Sequence, residues 1–379
     1  MGERLVVAPG ELDGAWAGAD IIVPGLPSRV RWTVRSDATL AALEQASRAI
    51  GRVEGAFRNT SSSIGGIYYA LAISAASSAS LVDGKVQWSR VRQHFLHDHR
   101  DVKGLSGDAL AAALLRQSVG LGNATAHGHR DPVRRYQGAL DAWPSAIGSE
   151  GPLPRRFARE LAADLASWVP HGSEPPMARA ALAMMTVAAV DPDCGSTGIA
   201  ARMLFSTVLE DAKGVEEWMC PPISWGFLAE PKDSWQRVAS VLAVEGEPDP
   251  HAVDRALGEV FLAVARSGAA SRYMVEHAGR YAIEQAGGRH SKTFTPRQKL
   301  LIDALVGLPA LTAGQAARVS GLTERGVQRS LKVLVAAEIA EVRRTRKGEE
   351  FFVATRPMTM WLDAVNCYPL PGEPWPKVQ

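Results

Sequence analysis

The stretch from Thr312 to Ala354 constrains the fold more than any other part of the chain. Thr312-Ala-Gly-Gln315 has the form of a capping box, in which the Thr hydroxyl accepts from the Gln amide and the Gln side chain reaches back to the Thr amide. The helix it starts carries Ala316, Ala317 and Val319 and stops at Ser320-Gly321-Leu322. Thr323 can cap a second helix, on which Val327, Leu331 and Leu334 share one face. Two helices crossing at a tight turn need a small residue where they touch, a part assigned here to Ala317. The turn itself needs a residue tolerant of positive φ, and Gly321 answers that. Val327 is then expected to plug the core beneath the second helix. After it, Ala340-Glu-Val-Arg-Arg, Thr345-Arg-Lys-Gly and Glu350-Phe-Phe-Val-Ala read as strand, turn and strand.

Two helices about a glycine bend, followed by a basic hairpin, spell a winged helix-turn-helix, a fold that places its second helix in the major groove of DNA. The exposed face of that helix would carry Thr323, Glu324, Arg325, Gln328, Arg329 and Lys332, among which Arg and Gln can make bidentate contacts to base edges. Arg343, Arg344, Arg346 and Lys347 of the wing would meet phosphates or an adjacent groove, and Thr312 completes the set expected at the DNA. Residues 291–360 hold 12 Lys/Arg against 6 Asp/Glu, so a local +6 sits on a chain whose net charge is only +2. The competing reading is plainer: winged helices also serve as protein–protein modules, and basic residues are often only solvated.

A chain of 379 residues with 46% hydrophobic and 22% charged content fits a soluble protein of two or three domains. Ala-rich helical spacing dominates, which points to a mainly α protein with little sheet. The expected organisation is an irregular arm over 1–38, a helical domain over 39–288, the DNA-binding module over 289–360 and a Pro-rich tail over 361–379. Cys194, Cys220 and Cys367 lie far apart with no CxxC pair, which fits a reducing compartment. No run approaches the ~20 apolar residues a membrane span needs. A cytoplasmic protein without membrane contact is expected. His94-x-x-His97-x-His99, with Asp98, Asp101, His127 and His129, offers ligand types for a metal but fixes no third ligand, so neither metal nor cofactor is expected.

The body carries a resemblance of its own. Leu40-Ala-Ala-Leu-Glu-Gln-Ala-Ser-Arg-Ala-Ile-Gly-Arg-Val-Glu-Gly-Ala56 resembles the opening helix of Fic-family proteins, enzymes that move AMP onto hydroxyl side chains. Ser80-Leu-Val-Asp-Gly84 is similar to the family's Ser-x-Ile-Glu-Gly segment, which places Asp83 where the autoinhibitory glutamate stands. Met177 to Val190 resembles the helix leading into the family's active-site loop, and the loop would be Asp191-Pro-Asp-Cys-Gly-Ser-Thr-Gly-Ile-Ala-Ala-Arg202. Rhizobial proteins of unknown function that join such a body to a C-terminal helix-turn-helix look closer still. The resemblance spans most of residues 38–355 and implies a Fic-like helical fold for the body.

The loop departs from the family pattern His-Pro-Phe-x-Asp/Glu-Gly-Asn-Gly-Arg-x-x-Arg. Asp191 replaces the His base, Gly195 the magnesium ligand, Ser196 the first Gly, Thr197 the Asn and Ile199 the first Arg; Pro192, Gly198 and Arg202 match. Losing base, metal and phosphate clamp together removes most of what nucleotidyl transfer needs, so no catalytic residue is expected. One reading makes Gly195 to Gly198 a turn that caps a core helix from Ile199 to Leu209. The other makes Ser196, Thr197, Gly198 and Arg202 a vestigial anion pocket at a helix N-terminus, open to a nucleotide effector. Taken together, the sequence reads as a DNA-binding regulator whose Fic-like body supplies dimerisation or sensing of a nucleotide or protein effector, with a homodimer on double-stranded DNA. The alternatives are a protein-modifying, AMP-transferring enzyme working through Asp191 and Arg202, and an interaction protein such as an antitoxin-like partner.

Overall fold

The computed structural model describes residues 2–6, 20–59, 71, 74–82, 86–95, 106–115, 131–147, 153–193, 195–213, 222–228, 233–287, 294–308, 310–344 and 348–355. The chain divides into two compact units, one of Met1–Gly51, Arg100–Leu105 and Gln117–Gly268, the other of Arg52–His99, Ser106–Arg116 and Ala269–Gln379. The segment 39–288, expected as one domain, is shared between them. The fold is mainly helical, with a small sheet near the C-terminal end. Among the described residues no helix is long and apolar enough to cross a membrane.

The first unit opens with a difference from expectation. Its arm is not irregular throughout: β1 (Glu3–Val6) pairs antiparallel with β2 (Asp20–Val23). The aliphatic runs Leu5-Val6 and Ile21-Ile22-Val23 favour extended backbone, and pairing satisfies the amides that an irregular arm would leave to water. A short 3-10 turn, Pro27–Arg29, follows, and the Ser28 amide donates to Asp164.

Helix α1 spans Asp37–Asn59. Its start is tied to a buried carboxylate more than two hundred residues away: Asp254 accepts from Trp32 Nε1 at 2.8 Å, Ser36 Oγ at 2.6 Å and Thr39 Oγ1 at 3.1 Å. The Ser36 amide also points at it. Burial pushes the Asp254 pKa up, but these hydrogen bonds to the ionised form outweigh it and hold the group below the usual aspartate value.

Helix α2 (Trp88–Phe95) belongs to the second unit, whereas α3 (Pro132–Ile147), α4 (Arg155–Trp168), α5 (Pro176–Ala188) and α6 (Gly195–Lys213) build the centre of the first. Every residue from Met177 to Ala188 is buried, Arg179 included, whose guanidinium donates to the Val169 carbonyl. Helix α5 lies along α6, and α3 packs on both α4 and α6. Arg135 of α3 pins that contact by donating to Asp211 and Glu210 of α6. Among the described residues the unit also holds α7 (Ile223–Leu228), α8 (Ser234–Ser240) and the first part of α9 (Pro250–Gly287). At Gly226, α7 comes so close to α9 that an added Cβ would stand 1.9 Å from the Ala263 carbonyl oxygen. That oxygen also accepts from Ser267 Oγ at 2.8 Å, and the same hydroxyl lies 3.0 Å from the Pro222 carbonyl.

In the second unit the C-terminal module runs α10 (Pro296–Gly307), β3 (Leu311–Thr312), α11 (Ala313–Ser320), α12 (Glu324–Ala336), β4 (Ala340–Arg344) and β5 (Glu350–Ala354). The strands form one antiparallel sheet in the order β3-β5-β4, with Phe352 opposite both Leu311 and Val342. Helix α10 packs on α11, α12 and β5. Leu301, Ile302 and Leu305 of α10, Val327, Leu331 and Leu334 of α12, and Phe352 and Val353 of β5 are its buried core. Neither α10 nor β3 was expected from the sequence. The signal for α10 was present: Thr295-Pro-Arg-Gln298 is a second capping box, with the Gln298 amide donating to Thr295 Oγ1 at 3.3 Å and the Thr295 amide to Gln298 Oε1 at 2.8 Å.

Candidate nucleic-acid interface

Three local devices set the geometry of α11 and α12. The first capping box forms as the sequence implies: Thr312 Oγ1 accepts from the Gln315 amide at 3.2 Å and the Thr312 amide donates to Gln315 Oε1 at 3.0 Å. Gly321 ends α11 in the left-handed region, at φ 63°, where a side chain would be strained. Thr323 then starts α12 by accepting from the Gly326 amide at 3.3 Å. Val327 is fully buried, as its plug role requires.

Ala316 is the small residue sealed in the interior, and Ala317, next to it, is half-buried. The capping box fixes where α11 begins, and one turn on from Thr312 the inward position falls on 316, then on Ser320, whose hydroxyl donates to the Ala316 carbonyl at 2.7 Å.

With Val327, Leu331 and Leu334 turned inward, the opposite strip of α12 presents Arg325, Arg329 and Lys332, all exposed. None of the three pairs with a carboxylate among the described residues. Gln328 is exposed beside them, as are Thr323 and Glu324 at the front of the helix, while Thr312 is half-buried. The hairpin behaves differently. Arg343 donates to Glu341 Oε2 at 2.8 Å and Arg344 to Glu350 Oε1 at 2.9 Å, so each exposed cation of β4 is already matched by an acid. Arg346 and Lys347 lie outside the described residues.

The second candidate locus sits in the first unit. The loop expected from Asp191 to Arg202 is shorter than the sequence reading made it. Helix α6 begins at Gly195, so Ser196, Thr197, Gly198 and Arg202 are helical, and the expected helix start at Ile199 moves back by a turn. Asp191 is half-buried in the preceding turn, and Asp193 accepts from Gln236 Nε2 at 2.6 Å. Thr197 is buried. Arg202 is sealed in the interior, 2% exposed. Its guanidinium reaches back to Gly198, lies 4.4 Å from the Trp235 ring centroid and donates through Nε to Ser224 Oγ at 3.0 Å. Among the described residues its Nη2 has no hydrogen-bond partner. Burial alone pushes its pKa down to about 9, which leaves it charged at neutral pH.

Of the histidine cluster, only His94 is among the described residues; His97, His99, His127 and His129 are outside them, with Asp98 and Asp101. Among the described residues no three His, Cys, Asp or Glu side chains gather as metal ligands would.

The two loci define a mainly helical protein with a small cationic helix–sheet module and, in Arg202, a buried arginine. No protein family's sequence pattern matches the chain, and no curated protein does. Among solved structures, a Fic family protein from Desulfovibrio desulfuricans G20 is 14% identical, over 85% of this chain and 97% of that one, with a TM-score of 0.37. At that score the likeness carries no argument about this chain.

Proposed function

We propose that this is a DNA-binding protein of the cytoplasm, a transcriptional regulator whose module from α10 to β5 is a winged helix-turn-helix with α12 as its recognition helix. The observation that carries this reading is the strip of Arg325, Arg329 and Lys332, exposed on the face turned away from the core and without a carboxylate partner among the described residues. Like charges one turn apart cost a helix about 0.2–0.5 kcal/mol per pair. An arriving polyanion offsets that cost and gains the release of its own counterions. The body is read as a Fic-like domain without transferase chemistry, on the strength of segments 40–56, 80–84 and 177–202, and it serves dimerisation or effector sensing. A dimer would favour operators with two-fold symmetry, because paired recognition helices meet half-sites about one turn apart.

Electrophoretic mobility shift on DNA upstream of the protein's own gene tests the reading. The expected result is a retarded complex that weakens steeply as salt rises, and that Arg325→Ala/Arg329→Ala weakens by at least about tenfold. An equally tight double variant would remove α12 from the contact. No complex even at low salt would remove DNA binding altogether.

The unsatisfied Nη2 of Arg202 favours one second reading, an anion effector held at the start of α6. Titration calorimetry with ATP, ADP and inorganic phosphate is expected to give saturable heat that Arg202→Lys reduces. Heat no greater than the buffer blank at millimolar ligand would end this reading.

A further inference from the structure

We propose that the target duplex presents two G·C pairs, separated by one intervening base pair, to Arg325 and Arg329; the inference rests on the DNA-binding reading above. The two arginines stand four residues apart on one exposed strip of α12. At 1.5 Å per residue that is about 6 Å along the helix. Base pairs stack about 3.4 Å apart, so the two side chains reach edges about two steps apart. Between the two, Gly326 has no side chain and Val327 is buried, which leaves Gln328 as the exposed side chain beside the pair.

Among the described residues neither guanidinium has a carboxylate partner, and this separates them from the arginines of β4. Arg343 and Arg344 are each already paired with a carboxylate, which offsets their charge toward an anion. A free guanidinium offers a planar fork that matches the O6 and N7 acceptors of guanine, the only base with two acceptors side by side in the major groove. Lys332, a point charge farther along the helix, lacks the fork and is assigned to a phosphate, which carries no sequence information.

Selection of bound sequences from a random duplex pool by the full-length chain tests this. The expected outcome is enrichment of G·C at two positions with one pair between them. Arg325→Ala should relax the preference at one of these positions by on the order of tenfold, and Arg329→Ala at the other. Lys332→Ala should keep both preferences, weaken binding to every duplex alike and lower the salt slope by about one unit. Bound duplexes with no guanine preference, or a selection unchanged in both arginine variants, would overturn the inference and leave DNA binding standing. A pool from which nothing is retained would overturn both.

Discussion

A Gly226→Ala chain is expected to be less stable than the parent by at least about 3 kcal/mol, the upper end of what overpacking costs. The added methyl would meet the Ala263 carbonyl oxygen at 1.9 Å and its carbonyl carbon at 2.5 Å. Those are backbone atoms of α9, so no rotamer change can clear them and the two helices must part. Parting them also stretches the Ser267 hydroxyl's contact to the Pro222 carbonyl, whereas its bond to Ala263 lies within α9. Helix propensity argues the other way, since alanine replacing glycine inside a helix gains about 0.5–1 kcal/mol. Gly51→Ala isolates that opposite term, because nothing lies within 4 Å of a Cβ built there in α1. Thermal melts of the two variants should therefore move in opposite directions, with the Gly226 variant falling by on the order of 5–10 °C. A Gly226→Ala melt at or above the parent's would refute the close approach.

The second large effect belongs to Asp254. Asp254→Asn is expected to cost about 1.5–3 kcal/mol at neutral pH, the loss of a charged acceptor with its donors left in place. Asparagine offers one acceptor oxygen, and its amide would face the Ser36 backbone N–H, which cannot turn round to accept. The sign of the pH dependence follows from the direction of the shift. The folded pKa lies below the unfolded value of 3.8, so the ionised carboxylate is the form the fold prefers. Its contribution is complete above that value and drains away as pH falls through the folded one. The gap in melting temperature between parent and Asp254→Asn should be wide at neutral pH and narrow in strong acid. A gap that stayed constant down to strong acid would mean that the carboxylate charge is not what anchors α1.

Much of the C-terminal module was legible because its signals are local. Capping at Thr312, the glycine bend at Gly321 and the inward face of Val327, Leu331 and Leu334 each depend on residues within a turn or two. Helix α10 was missed although it carries the same Thr-x-x-Gln start, because Leu300, Leu301 and Ile302 run consecutively and blur the helical period. The pairing of Arg344 with Glu350 needs the strand register, in which the two residues stand opposite each other across the hairpin. What sequence could not show was contact over long separations. Arg202 lies under Trp235 and beside Ser224, and Asp254 gathers Trp32, Ser36 and Thr39, by tertiary packing that leaves no mark on local periodicity. The same packing turned an expected loop into the first turn of α6.

Helices α10, α11 and α12 all start on threonine hydroxyls, two of them backed by glutamine amides. Neither group takes up a proton in acid, and neither surrenders one in mild alkali. Acidification that discharges Asp254 in the first unit leaves these three starts chemically unaltered. The cationic module thus keeps its scaffold under conditions that unfasten the beginning of α1, so acid sensitivity is distributed unevenly along the polypeptide.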